Sequence, residues 1–92
     1  MFEIPEVLRQ KYLQRRSQDV ADCTKKLNES DWTYFTQLGH QLKGNAPSYG
    51  YDDLAEIAEK IETVAKEKDS EALSQAIQEF EVWTKNNPVG NS

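Results

Sequence analysis

What most restricts this chain is how seldom its backbone can turn. Four glycines and three prolines are spread over 92 residues, and the runs between them are rich in Glu, Lys, Gln, Ala and Leu. Such residues lose little side-chain freedom in a helix. Few breakers and strong helix formers together predict a handful of long helices and no strand.

The apolar spacing divides the chain into four. Pro5 is well placed for a first turn, and Leu8, Tyr12, Leu13, Val20, Cys23 and Leu27 form one modest stripe from Glu6 to about Asn28, with Phe2 and Ile4 expected across the end of the bundle. Arg15, Arg16, Lys25 and Lys26 lie near Asp19 and Asp22 and read as a solvated, ion-paired face. Ser30 or Asp31 caps a second helix that begins at Asp31 or Trp32 and runs to Ala46 or a little beyond. Pro47 lacks an N–H and its ring opposes the carbonyl of Lys43, so the helix must kink or tighten there before Gly50 ends it. Leu54, Ile57, Ala58, Ile61, Val64 and Ala65 give the cleanest stripe, opened by Asp52 and Asp53 where the helix dipole favours acids. After a polar turn at residues 66–70, Leu73, Ala76, Ile77, Phe80 and Trp83 mark a fourth helix. Amphipathic helices joined by short connections predict an all-α fold, an antiparallel up-down four-helix bundle over residues 1–87 with a flexible tail at 88–92.

Size and charge exclude several roles. The chain makes one small domain, too little for a cofactor-binding enzyme with a separate substrate lobe. Its net charge is −5, with seven Lys/Arg against six Asp/Glu in residues 1–46 and four against ten in residues 47–92. It lacks the clustered cations that bind nucleic acid. Cys23 has no partner thiol, and with one histidine it cannot complete a zinc site, so no metal is expected and a reducing cytoplasm is the expected home. No apolar run suggests a membrane span or signal segment.

His40 is the single histidine. On a helix turning about 100° per residue, Thr36, Gln37, Lys43, Gly44 and Pro47 share its face, while Phe35, Leu38, Leu42 and Tyr49 fall on the opposite one. The imidazole should therefore face solvent from a helix buried behind it, with no acid beside it. An exposed imidazole with an ammonium at i+3 and no side chain at i+4 can receive a phosphoryl group. Lys43 would offset the phosphate's charge. Gly44, at a helix-interior cost of about 1 kcal/mol relative to Ala, would let a second protein's active site approach the ring. Histidine's ordinary pKa of about 6.5 leaves a neutral, nucleophilic nitrogen, and Nε2 is the expected attacking atom. Gln37 or Gln41 either bonds the other nitrogen or the phosphate, or is simply solvated. Asn45 lies nearer the buried face and should bond the first or third helix.

The run His40-x-Leu42-Lys43-Gly44-x-Ala46-x-x-x-Gly50, preceded by Asp31-Trp32 and followed by Leu54, Ile57, Ile61 and Glu62, resembles the signature of histidine phosphotransfer (HPt) domains of bacterial phosphorelays. The match is strong from about residue 30 to 62 and rests on pattern in the flanking helices. The resemblance implies a four-helix bundle whose exposed histidine, here His40, takes a phosphoryl group from one receiver-domain aspartate and hands it to another. It supports Lys43 as phosphate neutraliser. The implied partners are the receivers of a hybrid histidine kinase and of a response regulator, docking on Thr36, Gln37, Gln41, Gly44, Pro47 and Ser48 around His40. With no Gly-rich nucleotide loop, the protein is expected to be a carrier and not an enzyme, with no cofactor of its own and Mg²⁺ supplied by the partner receiver. Gln41 stands where the dimerisation domains of sensor kinases typically have an acid, so a free-standing cytoplasmic carrier is the reading, and because four amphipathic helices closed on themselves leave no obvious exposed stripe, a monomer is expected. The alternative is a helical adaptor that binds a receiver or a kinase without carrying phosphate.

Overall fold

The computed structural model describes residues 4–89. Four helices, α1 (Glu6–Asn28), α2 (Trp32–Asn45), α3 (Asp52–Lys66) and α4 (Ser70–Asn86), form an up-down bundle, with a 3-10 turn at Ala46–Tyr49 and no strand among the described residues. Packing is most extensive between α2 and α3, followed by α3 with α4 and α1 with α4. None of these helices is long and apolar enough to cross a membrane. Of the expectations for the termini, Phe2 and residues 90–92 lie outside the described residues, and Ile4 is half-buried.

Local chemistry sets the boundaries. The Asp31 carboxylate accepts the Tyr34 N–H at 3.1 Å, and Asp69 caps α4 in the same way, accepting the Ala72 N–H at 3.0 Å. Asp31 is therefore the cap that the sequence left shared with Ser30. Pro47 has the expected effect: α2 stops at Asn45 and the backbone tightens into the 3-10 turn. Gly50 ends that turn at φ 86°, a left-handed conformation that suits glycine, and its N–H reaches the Pro47 carbonyl at 3.0 Å.

Phe35, Leu42, Leu54, Ile61, Leu73 and Phe80 are fully buried at the centre. Cys23 is buried with them, and burial pushes its thiol up to about 12. In α1 the core begins at Tyr12, whereas Leu8, expected on the buried stripe, is exposed beside Val7. Tyr12 stacks on Tyr49 with centroids 4.0 Å apart, and its hydroxyl donates to Asn45 Oδ1 at 2.7 Å. These contacts fasten α1 to the end of α2 and give Asn45 its partner on α1.

The cationic face of α1 departs from expectation. Arg16 and Asp19 are buried, joined by a 2.7 Å bond, and Arg15 reaches Asp19 at 3.3 Å from a more exposed position. Spacing along one helix identified the ion pairs but not their burial, because Tyr34 and Leu38 of α2 line the same groove with them. The Arg16 guanidinium lies 4.5 Å over the Tyr12 ring, which shields it further. Desolvation raises the Asp19 carboxyl above its ordinary value although both arginines oppose it.

Candidate functional site

His40 sits in the C-terminal half of α2, more than one turn before its end, its side chain 75% exposed, while Phe35, Leu38 and Leu42 behind it are buried. The outward imidazole and inward apolar face predicted by helical spacing are both present. The surroundings of the ring are not as predicted. Glu62, on α3, lies 3.3 Å from His40 Nδ1 through Oε2. The histidine thus has an acid beside it after all, contributed by the neighbouring helix.

Glu62 is a hub. Its side chain is 8% exposed, and it meets Lys43 Nζ at 3.1 Å through Oε1 and Lys66 Nζ at 3.3 Å through Oε2. A carboxylate removed from water requires such partners. The hydrogen bond from Lys43 foremost, with Lys66 adding to it against the cost of desolvation, holds the Glu62 carboxyl below its ordinary value.

Gly39 makes this arrangement possible. A Cβ at that position would stand 2.6 Å from both the Ala58 carbonyl oxygen and the Glu62 amide nitrogen, and 2.9 Å from Glu62 Cβ. Only a residue without a side chain lets α2 come this close to the backbone of α3, and the approach carries Glu62 in beneath the imidazole. Gly44, one turn further on, is the opposite case: a Cβ there meets nothing within 4 Å. One glycine is required by packing and the other leaves open space next to His40.

A family model, the Hpt domain, matches residues 7–85. The chain belongs to the Hpt domain family. Its members are helical phosphocarrier modules that act in phosphorelays and interact with receiver domains. No curated protein and no solved structure matches the chain.

In this Hpt domain the remaining predicted residues flank His40 on two sides. Lys43 stands with Glu62 on the α3 side. Gln37 and Gln41 are exposed on the α1 side and border a groove with Arg15, Arg16, Asp19 and Tyr34. Neither glutamine takes the Nδ1 side of the ring, which faces Glu62. Thr36 is half-buried, its hydroxyl donating to the Trp32 carbonyl at 3.0 Å. Gly44, Pro47 and Ser48 are exposed beyond His40 toward the 3-10 turn. Sequence reasoning did not single out Glu62, Lys66 or Gly39 as parts of the site. A signal existed for Gly39, since an interior helical glycine costs about as much there as at Gly44. Glu62 stood inside the matching motif without a role attached.

Proposed function

We propose that the protein is a phosphoryl carrier in which His40 accepts a phosphoryl group from the aspartate of one receiver domain and passes it to the aspartate of another. The observation that carries this reading is an exposed imidazole whose Nδ1 is turned to a buried carboxylate, which makes Nε2 the ring nitrogen for a partner to meet. Glu62 favours the tautomer with its proton on Nδ1. The lone pair is then on Nε2, which attacks the phosphorus of an acyl phosphate. The P–N bond forms as the P–O bond to the aspartate breaks, and that electron pair returns to the carboxylate. The proton stays on Nδ1, so the phosphorylated ring is cationic and Glu62 opposes its charge. In the reverse step the ring departs as neutral imidazole.

Lys43 supplies positive charge on the approach side, and Gly44 leaves room for the partner's acidic pocket. Thr36, Gln37, Gln41, Pro47 and Ser48 make up the docking surface. In-line transfer also needs Mg²⁺, and in this reading the ion belongs to the receiver. The protein is a carrier and not a catalyst, acting in the cytoplasm as a monomer between the receivers of a hybrid kinase and a response regulator.

The test is incubation of the purified protein with a radiolabelled phospho-receiver and Mg²⁺, beside His40→Gln. Label on the wild type alone, lost in acid and kept in base, supports the carrier. Complex formation without label, unchanged by His40→Ala, would instead establish an adaptor.

A further inference from the structure

Lys66 has no part in the motif that drew attention to His40, yet it shares an atom with the site. Its Nζ and His40 Nδ1 each lie 3.3 Å from the same oxygen, Glu62 Oε2. Their separation is therefore at most twice that distance, about 6.6 Å. Lys43 is bonded to the other oxygen, Oε1, at 3.1 Å. Two ammonium groups thus stand around one imidazole, both tethered to one carboxylate.

The charges do not suit a single state. Before phosphorylation one carboxylate faces two lysines, a local excess of one positive charge. A phosphoryl group brings about −1.5 to −2, which one lysine shared with Glu62 cannot offset. Both lysines can move: their side chains are 42% and 62% exposed, on flexible stems, whereas Glu62 is held at 8%. Resting on the proposal that His40 carries phosphate, we infer that Lys66 and Lys43 form a two-cation clamp on the phosphoryl group, and that Glu62 stores both ammonium groups while the histidine is bare. On transfer the lysines swing from carboxylate to phosphoryl oxygens and Glu62 keeps its contact with Nδ1. When the phosphoryl group leaves, the ammonium groups return to the carboxylate. The clamp raises the share of phosphate held on histidine against that on the receiver's aspartate.

A structural role for Lys66 is the competing explanation, since it lies in the last turn of α3, where a cation favours the helix dipole. That role changes stability and leaves transfer equilibrium alone. The experiment therefore reads the equilibrium distribution of label between the protein and a phospho-receiver for wild type, Lys66→Met, Lys66→Arg and Lys60→Met. Lys60 is bonded to Glu79, away from the site, so Lys60→Met makes the same change in net charge without touching the clamp. Lys66→Met should shift label about five- to tenfold toward the receiver. Lys66→Arg should restore most of it, Lys60→Met should match wild type, and added salt should narrow the gap. A Lys66→Met distribution within about twofold of wild type overturns the clamp, as does an equal shift from Lys60→Met. Absence of label on the wild type is a different failure, because it removes the carrier reading itself.

Discussion

Gly39→Ala is a one-methyl change whose cost can be worked from the distances. The new Cβ would stand 2.6 Å from two backbone atoms of α3, the Ala58 oxygen and the Glu62 nitrogen. Reaching ordinary contact requires α3 to retreat by about 0.8 Å, and no side-chain rotation can absorb this because the obstructing atoms are backbone. Overpacking of this kind costs about 1–3 kcal/mol, and a clash of two helix backbones belongs at the upper end. Replacing an interior glycine with alanine returns about 1 kcal/mol of helix propensity. The net expectation is a loss of about 2 kcal/mol, which for a domain of this size lowers Tm by roughly 8–12 °C. Thermal and urea unfolding followed by circular dichroism measure it, with Gly44→Ala as the mirror case. There the same methyl enters open space, and stability should rise by up to about 1 kcal/mol. If Gly39→Ala is as stable as wild type, the close approach of α2 and α3 is not set by the missing side chain, and the account of how Glu62 comes beneath His40 fails.

Gly44→Leu should cut phosphoryl transfer at least about tenfold while leaving stability level or slightly higher, because it adds bulk only on the approach side; transfer at the wild-type rate would remove the access argument. The Glu62 carboxyl is held below its ordinary value of 4.5, so its ion pairs stabilise the fold fully above that pH, and the contribution is lost as pH falls through the lower folded-state value. Comparing urea unfolding of His40→Gln with His40→Gln/Glu62→Gln, the difference should be level well above the ordinary value of 4.5 and shrink as the pH falls below it. A difference that widens on acidification contradicts the assignment. Arg16→Met leaves Asp19 buried with only Arg15 at 3.3 Å and should cost about 3 kcal/mol in urea unfolding. Arg15→Met, at a more exposed position, should cost under about 1 kcal/mol, and equal losses would show that the burial of Arg16 is immaterial.

The bundle was readable in the sequence because its signals are local. Apolar spacing, the Asp31 cap, and the Pro47 and Gly50 punctuation act within a turn or two of chain, and each is found where that chemistry requires. The exposure of His40 was readable for the same reason, as a property of one helix face. What escaped is what depends on two helices at once. The acid beside His40 comes from α3, and the face assigned to Arg16 and Asp19 borders a groove whose other wall is Tyr34 and Leu38 of α2. Both cases reflect a single-helix projection, which ranks residues by angle but carries no information on which neighbour arrives or how near. Gly39 was the available clue, since a glycine inside a helix that tolerates no Cβ marks the place where another backbone must come close.

The measurement that bears most directly on the central claim locates the phosphoryl group. The protein is loaded from a phospho-receiver with Mg²⁺, and long-range ¹H–¹⁵N NMR of the imidazole is recorded at neutral pH, with tandem mass spectrometry of the same sample. The account predicts a single phosphorylated residue, His40, with phosphorus on Nε2 and the proton retained on Nδ1 opposite Glu62. Phosphate on Nδ1, or on any residue other than His40, would contradict it.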